Sequence, residues 1–208
     1  YNGGSYGANV YMRAATLLRT LEELLGGQTW ARVMRTYHMR YRYKHPGKAE
    51  FLGVVNEVSG KDMSWFFDEL FDSTQAFDYG VAAVASVKVP RARRGVFDVK
   101  GTREEVTSKK IEELEAGEAT APEAKAKSEF LTTVVLRRYG EARVRGDARI
   151  KVLVRFKDGT TEARSWDGQA RWARLEFVKP VEVESAQVDP EGVWLIDANL
   201  ANNSRGVD

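Results

Sequence analysis

The sequence predicts an α+β chain in two parts: amino-terminal all-α helical hairpins followed by an immunoglobulin-like β-sandwich. Three observations predict it. Apolar residues recur at i, i+3, i+4 and i+7 as far as about Phe77. From Asp78-Tyr79 onward the period shifts to alternation, as in Ile150, Val152, Val154 and Phe156 separated by Lys151, Leu153 and Arg155. Lys157-Asp158-Gly159-Thr160 is a strong hairpin signal, since Asp-Gly suits a type I′ turn. The division falls between residues 1–77 and 78–208.

The first helix spans Val10 to Leu25, with Val10, Ala14, Leu17, Leu18, Leu21, Leu24 and Leu25 on one face, and Gly26-Gly27 ends it as a C-cap would. Thr29 is placed to cap a second helix bearing Trp30, Val33, Met34, Tyr37 and Tyr41, which His45-Pro46-Gly47 stops. A third, from Ala49 to Val58, ends at Ser59-Gly60, and a short fourth carries Met63, Phe66, Phe67, Leu70 and Phe71. Beyond Ile150–Phe156 and its returning partner Thr161–Trp166, the strand candidates are Val81–Val89, Val96–Lys100, Phe130–Arg138, Trp172–Val178, Val181–Val188 and Val193–Ile196. Strands at such turn-punctuated intervals point to a sandwich, with their order left open. Residues 102–128, rich in Glu, Ala and Lys, read as an exposed charged insertion, part helix and part mobile loop.

At 208 residues with 43% apolar content and five Trp, the chain can bury a core, which argues against disorder. Lys plus Arg number 32 against 30 Asp plus Glu, so the net charge of +2 gives no strong field to recruit nucleic acid or anionic lipid. Eight basic residues between Arg13 and Lys48 face only Glu22 and Glu23, and they are interleaved with Tyr37, Tyr41 and Tyr43. A solvated helix face explains them better than a nucleic-acid surface, and no nucleic-acid partner is expected. The absence of Cys excludes disulfides, thiolate nucleophiles and Cys-ligated zinc. No signal-like segment or apolar run of about 18 residues is present. The opening Tyr1-Asn2-Gly3-Gly4-Ser5-Tyr6-Gly7 reads as an internal loop, which is expected of a piece cut from a longer chain.

The two imidazoles, His38 and His45, lie seven residues apart. That is about 10.5 Å of helical rise against zinc–nitrogen bonds of about 2 Å, and there is no His-Glu-x-x-His segment. No Gly-x-Ser-x-Gly elbow is present for serine hydrolysis. Asp68, Glu69 and Asp72 could form an acid–base pair but read first as a solvated helix face. Gly3, Gly4 and Gly7 follow no strand and precede no Lys-Ser/Thr, so a phosphate cradle lacks its context.

Several motifs in order carry a family likeness. Tyr11-Met12-Arg13-Ala14-Ala15-Thr16-Leu17-Leu18-Arg19-Thr20-Leu21-Glu22-Glu23-Leu24-Leu25-Gly26 resembles the Tyr-x-Lys-Gly-Ala-x-x-Leu-x-x-Leu-Glu-x-x-Leu-Gly segment of the gluzincins, the zinc aminopeptidases related to aminopeptidase N. Downstream, Trp30 to Tyr41, Glu50-Phe51 to Ser59-Gly60 and Asp62-Met63-Ser64-Trp65-Phe66-Phe67 resemble the helices that follow in that family. Phe77-Asp78-Tyr79-Gly80-Val81 resembles its entry into the β-domain. The likeness covers about the first 80 residues. Val154 to Gly159 and Val188 to Glu191 are similar only to common β-domain phrases, and Arg13-Ala14 replaces the usual Lys-Gly.

The resemblance implies a carboxy-terminal portion of a zinc aminopeptidase in which Tyr11 is the catalytic tyrosine. In that family the phenol donates to the oxyanion formed when zinc-bound water attacks the scissile peptide. It also implies that the zinc ligands and the general-base Glu lie upstream, so this portion holds no metal and is inert alone. Its expected partners are a peptide substrate and the upstream catalytic domain, with periplasmic or membrane-associated location possible through segments outside this sequence. Two rivals stand beside it: a binding or scaffold module whose β-sandwich contacts a protein partner, and a catalytically dead relative.

Overall fold

Helices fill the chain as far as Phe71, and antiparallel strands dominate from Tyr79 onward; the computed structural model describes residues 3–89, 95–99, 102–119 and 129–207. The first helix is composite: α1 (Gly3–Tyr6), a π-helical segment (Gly7–Arg13) and α2 (Ala14–Leu25). The predicted apolar stripe holds only in its second half. Leu17 and Leu21 are buried, whereas Val10, in the π-helical segment, is exposed.

Gly26, at φ +79°, ends α2 and also stands immediately before α3 (Gly27–Tyr41). The start predicted at Thr29 is therefore corrected to Gly27, and Thr29 Oγ1 instead accepts from Arg32 at 3.5 Å. α4 (Lys48–Ser59) begins after Gly47, whose N–H donates to the Glu50 carboxylate at 2.7 Å, and ends at left-handed Gly60. α5 (Ser64–Phe66) continues into a second π-helical segment, Phe67–Phe71, where the Asp72 N–H donates to the Phe67 carbonyl five residues back at 2.8 Å.

The strands are β1 (Tyr79–Lys88), β2 (Gly95–Val99), β3 (Thr102–Val106), β4 (Phe130–Arg138), β5 (Ile150–Phe156), β6 (Thr161–Trp166), β7 (Trp172–Lys179), β8 (Val183–Val188) and β9 (Ser204–Gly206). Among the described residues they form antiparallel sheets of order β1-β4-β7 and β6-β5-β8-β9, with β2-β3 a separate hairpin. β3 and the helix α6 (Ser108–Ala119) occupy most of the stretch predicted as an insertion, whose residues 120–128 lie outside the described residues.

β5 matches its predicted register, with Ile150, Val152, Val154 and Phe156 buried. The turn after it differs from the predicted type I′. Only Gly159 of the Asp-Gly pair has positive φ, and its N–H donates to the Phe156 carbonyl at 2.9 Å, which makes a type I turn followed by a glycine of positive φ. The strand predicted at Val193–Ile196 is absent. Its first two N–H groups, on Val193 and Trp194, donate to the carboxylate of Asp189 at 3.0 and 2.8 Å, so they are spent on a turn.

The buried apolar residues form a cluster that runs from Leu17, Leu21, Val33, Val54 and Phe66 of the helices to Val134, Leu136, Val152 and Phe156 of the sheets. Phe156 of β5 meets Phe177 of β7 at 6.0 Å between ring centroids, which brings the two sheets into contact. Toward the helices the contact is aromatic: Phe77 stacks on Trp194 at 4.8 Å, and Trp194 meets Trp65 at 6.5 Å. Burial raises the pKa of Asp197, which accepts from Asn199 N at 2.9 Å and Tyr79 N at 3.3 Å and so ties the carboxy-terminal segment to β1.

Candidate functional site

Tyr11 sits in the middle of the first π segment. There the Ala14 N–H donates to the Asn9 carbonyl five residues back instead of four. No residue of Gly7–Arg13 is buried. Tyr11 is 68% exposed and Met12 72%, with Val10 also exposed, and the Tyr6 ring lies edge-on to Tyr11 at 6.2 Å. A phenol is thus held outside the core on a locally rewound helix, in an apolar setting, where it can donate one hydrogen bond to a group arriving from outside.

Beneath this turn lies a cavity of about 320 Å³ lined by Asn9, Val10, Arg13, Ala14, Leu17 and Phe71. The Arg13 guanidinium crosses from the π turn to the far wall, and its Nη2 donates to the carbonyls of Leu70 at 2.8 Å and Ser73 at 2.7 Å. A second cavity, of about 180 Å³, opens on the other side of Arg13 toward Phe77 and Ile196. The sequence marks Arg13 only as one of a run of basic residues and as the replacement for the usual Lys; its span to residue 73 is a tertiary contact that no local pattern marks.

The other candidates disperse. His38, on α3, and His45, in the turn after it, are both exposed. Asp68 is exposed, Glu69 receives the Arg145 guanidinium, with Nε at 2.7 Å, and Asp72 pairs with Lys48. Among the described residues no three His, Asp or Glu side chains group to hold a metal ion, so these residues do not fit a zinc site. Gly3, Gly4 and Gly7 lie in the opening helical turns. Of the basic residues between Arg13 and Lys48, Arg19 pairs with Glu22, and Arg40 grips Glu57 with both nitrogens at 2.7 and 2.8 Å. That grip holds the Glu57 carboxyl below its usual pKa and raises that of the Arg40 guanidinium.

A larger apolar hollow of about 380 Å³ lies between the helices, lined by Trp30, Met34, Tyr37, Phe51, Phe67 and Phe71 among others. Its chemistry suits an apolar group. Among the described residues no helix is long and apolar enough to cross a membrane.

No protein-family model matches the sequence, and no curated protein does. Among solved structures the chain is similar to Legionella pneumophila aminopeptidase A in complex with aspartic acid, at 11% identity and a TM-score of 0.43. That alignment covers 83% of this chain and 15% of the aminopeptidase, so the chain spans a small fraction of its length.

Proposed function

We propose that the chain is the carboxy-terminal portion of a zinc-dependent aminopeptidase, with residues 1–77 completing one wall of the cleft and residues 78–208 forming an immunoglobulin-like β-sandwich. The observation that carries this reading is Tyr11 itself. It is the residue with which the ordered gluzincin-like motifs begin, and it stands exposed on a π-helical turn. Segments of this kind recur at functional sites.

In this reading the zinc, its ligands and the general base come from the upstream domain of the same protein. That domain covers the exposed side chains of Tyr6, Val10, Tyr11 and Met12. Bound peptide presents its scissile carbonyl to the Tyr11 hydroxyl, which donates to the oxygen as negative charge develops there. Exclusion of water by the upstream wall strengthens that hydrogen bond. A metal held by upstream residues would supply polarisation of the carbonyl and activation of water.

In the full-length protein, Tyr11→Phe is expected to cut kcat by about 100- to 1,000-fold, the typical loss of one oxyanion donor, with little change in KM or thermal stability. Unchanged turnover would remove Tyr11 from the chemistry. The 208-residue chain alone is expected to release no amino acid from aminoacyl reporters and to bind no stoichiometric zinc. One-to-one metal with activity would overturn the reading. The alternative, a binding module working through the sheets, is favoured by the exposed Trp172 and Val178 on the edge strand β7, and it predicts that Tyr11→Phe changes nothing enzymatic.

A further inference from the structure

The π turn that carries Tyr11 has almost nothing apolar to hold it. None of its seven residues is buried, and a cavity of about 320 Å³ lies beneath it. A helix rewound in this way needs a constraint from outside, since its own packing does not select one rotation of the turn over another. Arg13, the last residue of the segment, supplies a long-range constraint. Its Nη2 directs one hydrogen to the Leu70 carbonyl at 2.8 Å and the other to the Ser73 carbonyl at 2.7 Å. The Leu70 carbonyl, in the last turn of the Phe67–Phe71 segment, has lost its intrahelical donor and the Ser73 carbonyl lies just past the cap, so a guanidinium is the fitting partner for the pair.

The anchor is itself fixed. Leu70 is buried, and the neighbouring Glu69 carboxylate receives the Arg145 guanidinium from the segment between β4 and β5. We propose that Arg13 is the positioning residue of Tyr11: it sets the rotation of the π turn against the Leu70–Ser73 anchor and so aims the phenol. This rests on the catalytic reading of Tyr11. Arg13 touches no reacting atom in it and acts only through the tyrosine.

The test combines two readouts. In the 208-residue chain, Arg13→Met keeps the length of the side chain and removes both donors. Amide exchange is expected to rise at least about tenfold over residues 7–13 and to stay unchanged over residues 14–25, with Arg13→Lys recovering much of the protection. Equal exchange in all three proteins overturns the clamp, and equal acceleration across both stretches reduces it to a general stability effect. In the full-length protein, Arg13→Met is expected to lower kcat by about tenfold to 100-fold with KM within about twofold, as expected for a misplaced donor. In a Tyr11→Phe background the same change is expected to do nothing further. If Tyr11→Phe leaves kcat untouched, the aminopeptidase role of Tyr11 falls and takes this proposal with it. If Tyr11→Phe cuts kcat but Arg13→Met acts equally in both backgrounds, or in neither, only the positioning role is overturned.

Discussion

Tyr79 shows how much a single buried hydroxyl can organise. Its ring is 1% exposed, and its oxygen accepts from Val144 N at 3.3 Å while its one proton serves the carbonyls of Ala142 and Gly168, each at 3.2 Å. Two loop segments are thereby fixed to the start of β1. Tyr79→Phe would keep the packing and leave a buried N–H without its acceptor, at a cost of about 1–3 kcal/mol, to be read from the urea midpoint at pH 7. Burial pushes the phenol up to about 12 from 10.0, because ionising it in the core is unfavourable. A pKa raised on folding gives stability that is complete below the unfolded value near 10 and is lost as pH climbs through the folded value. The gap between the two proteins is therefore expected to narrow between pH 7 and pH 11. Coincident midpoints at pH 7 would show that the hydroxyl is dispensable, and a constant gap would show that its pKa is the same in the folded and unfolded chain. The sequence marks Tyr79 only as part of a family-like phrase, since its three partners lie 63 to 89 residues away.

At the scale of elements, local patterns carry information wherever a residue's environment repeats along the chain. The alternation of β5 and the stripe through Leu17 and Leu21 are legible for that reason. The π winding is not, because Asn9 to Ala14 would read the same whether the N–H reached back four residues or five. Val193–Ile196 looks like a strand by composition, yet a side chain at Asp189 takes its donors. Close approach between segments is equally silent in sequence. Gly140 lies against the turn from Ala76 to Asp78, where a Cβ would stand 2.8 Å from the Ala76 carbonyl carbon and 3.0 Å from Asp78 N. Backbone cannot yield as a flexible side chain can, so Gly140→Ala should cost about 2 kcal/mol or more, a fall of about 4–8 °C in Tm. Gly53, mid-way along α4 with nothing within 4 Å of an added Cβ, is the control. There alanine should stabilise by about 0.8–1 kcal/mol through helix propensity. Similar melting temperatures for the two variants would contradict the difference in packing.

For the whole molecule the open question is whether helices and sheets unfold as one, and Trp194 is placed to answer it. It is 2% exposed in the segment between β8 and β9, stacks on Phe77 and touches Trp65 beside the second π segment. Sequence alone cannot assign it this place, because the strand order β6-β5-β8-β9 and the return of the chain to the helices are both non-local. If the aromatic contact makes one cooperative unit, Trp194→Ala removes packing from both sides and costs about 3–5 kcal/mol in the stability of each. Amide exchange should then accelerate by the same factor in α4 and in β5, although neither contains the substituted residue, and thermal unfolding should remain a single transition. Acceleration confined to β5, with α4 unchanged, would instead mean that the helices stand alone. The anchor of Arg13 at Leu70 and Ser73 would then owe its rigidity to the helices and not to the sheets, and exchange in the Tyr11 turn should be indifferent to Trp194.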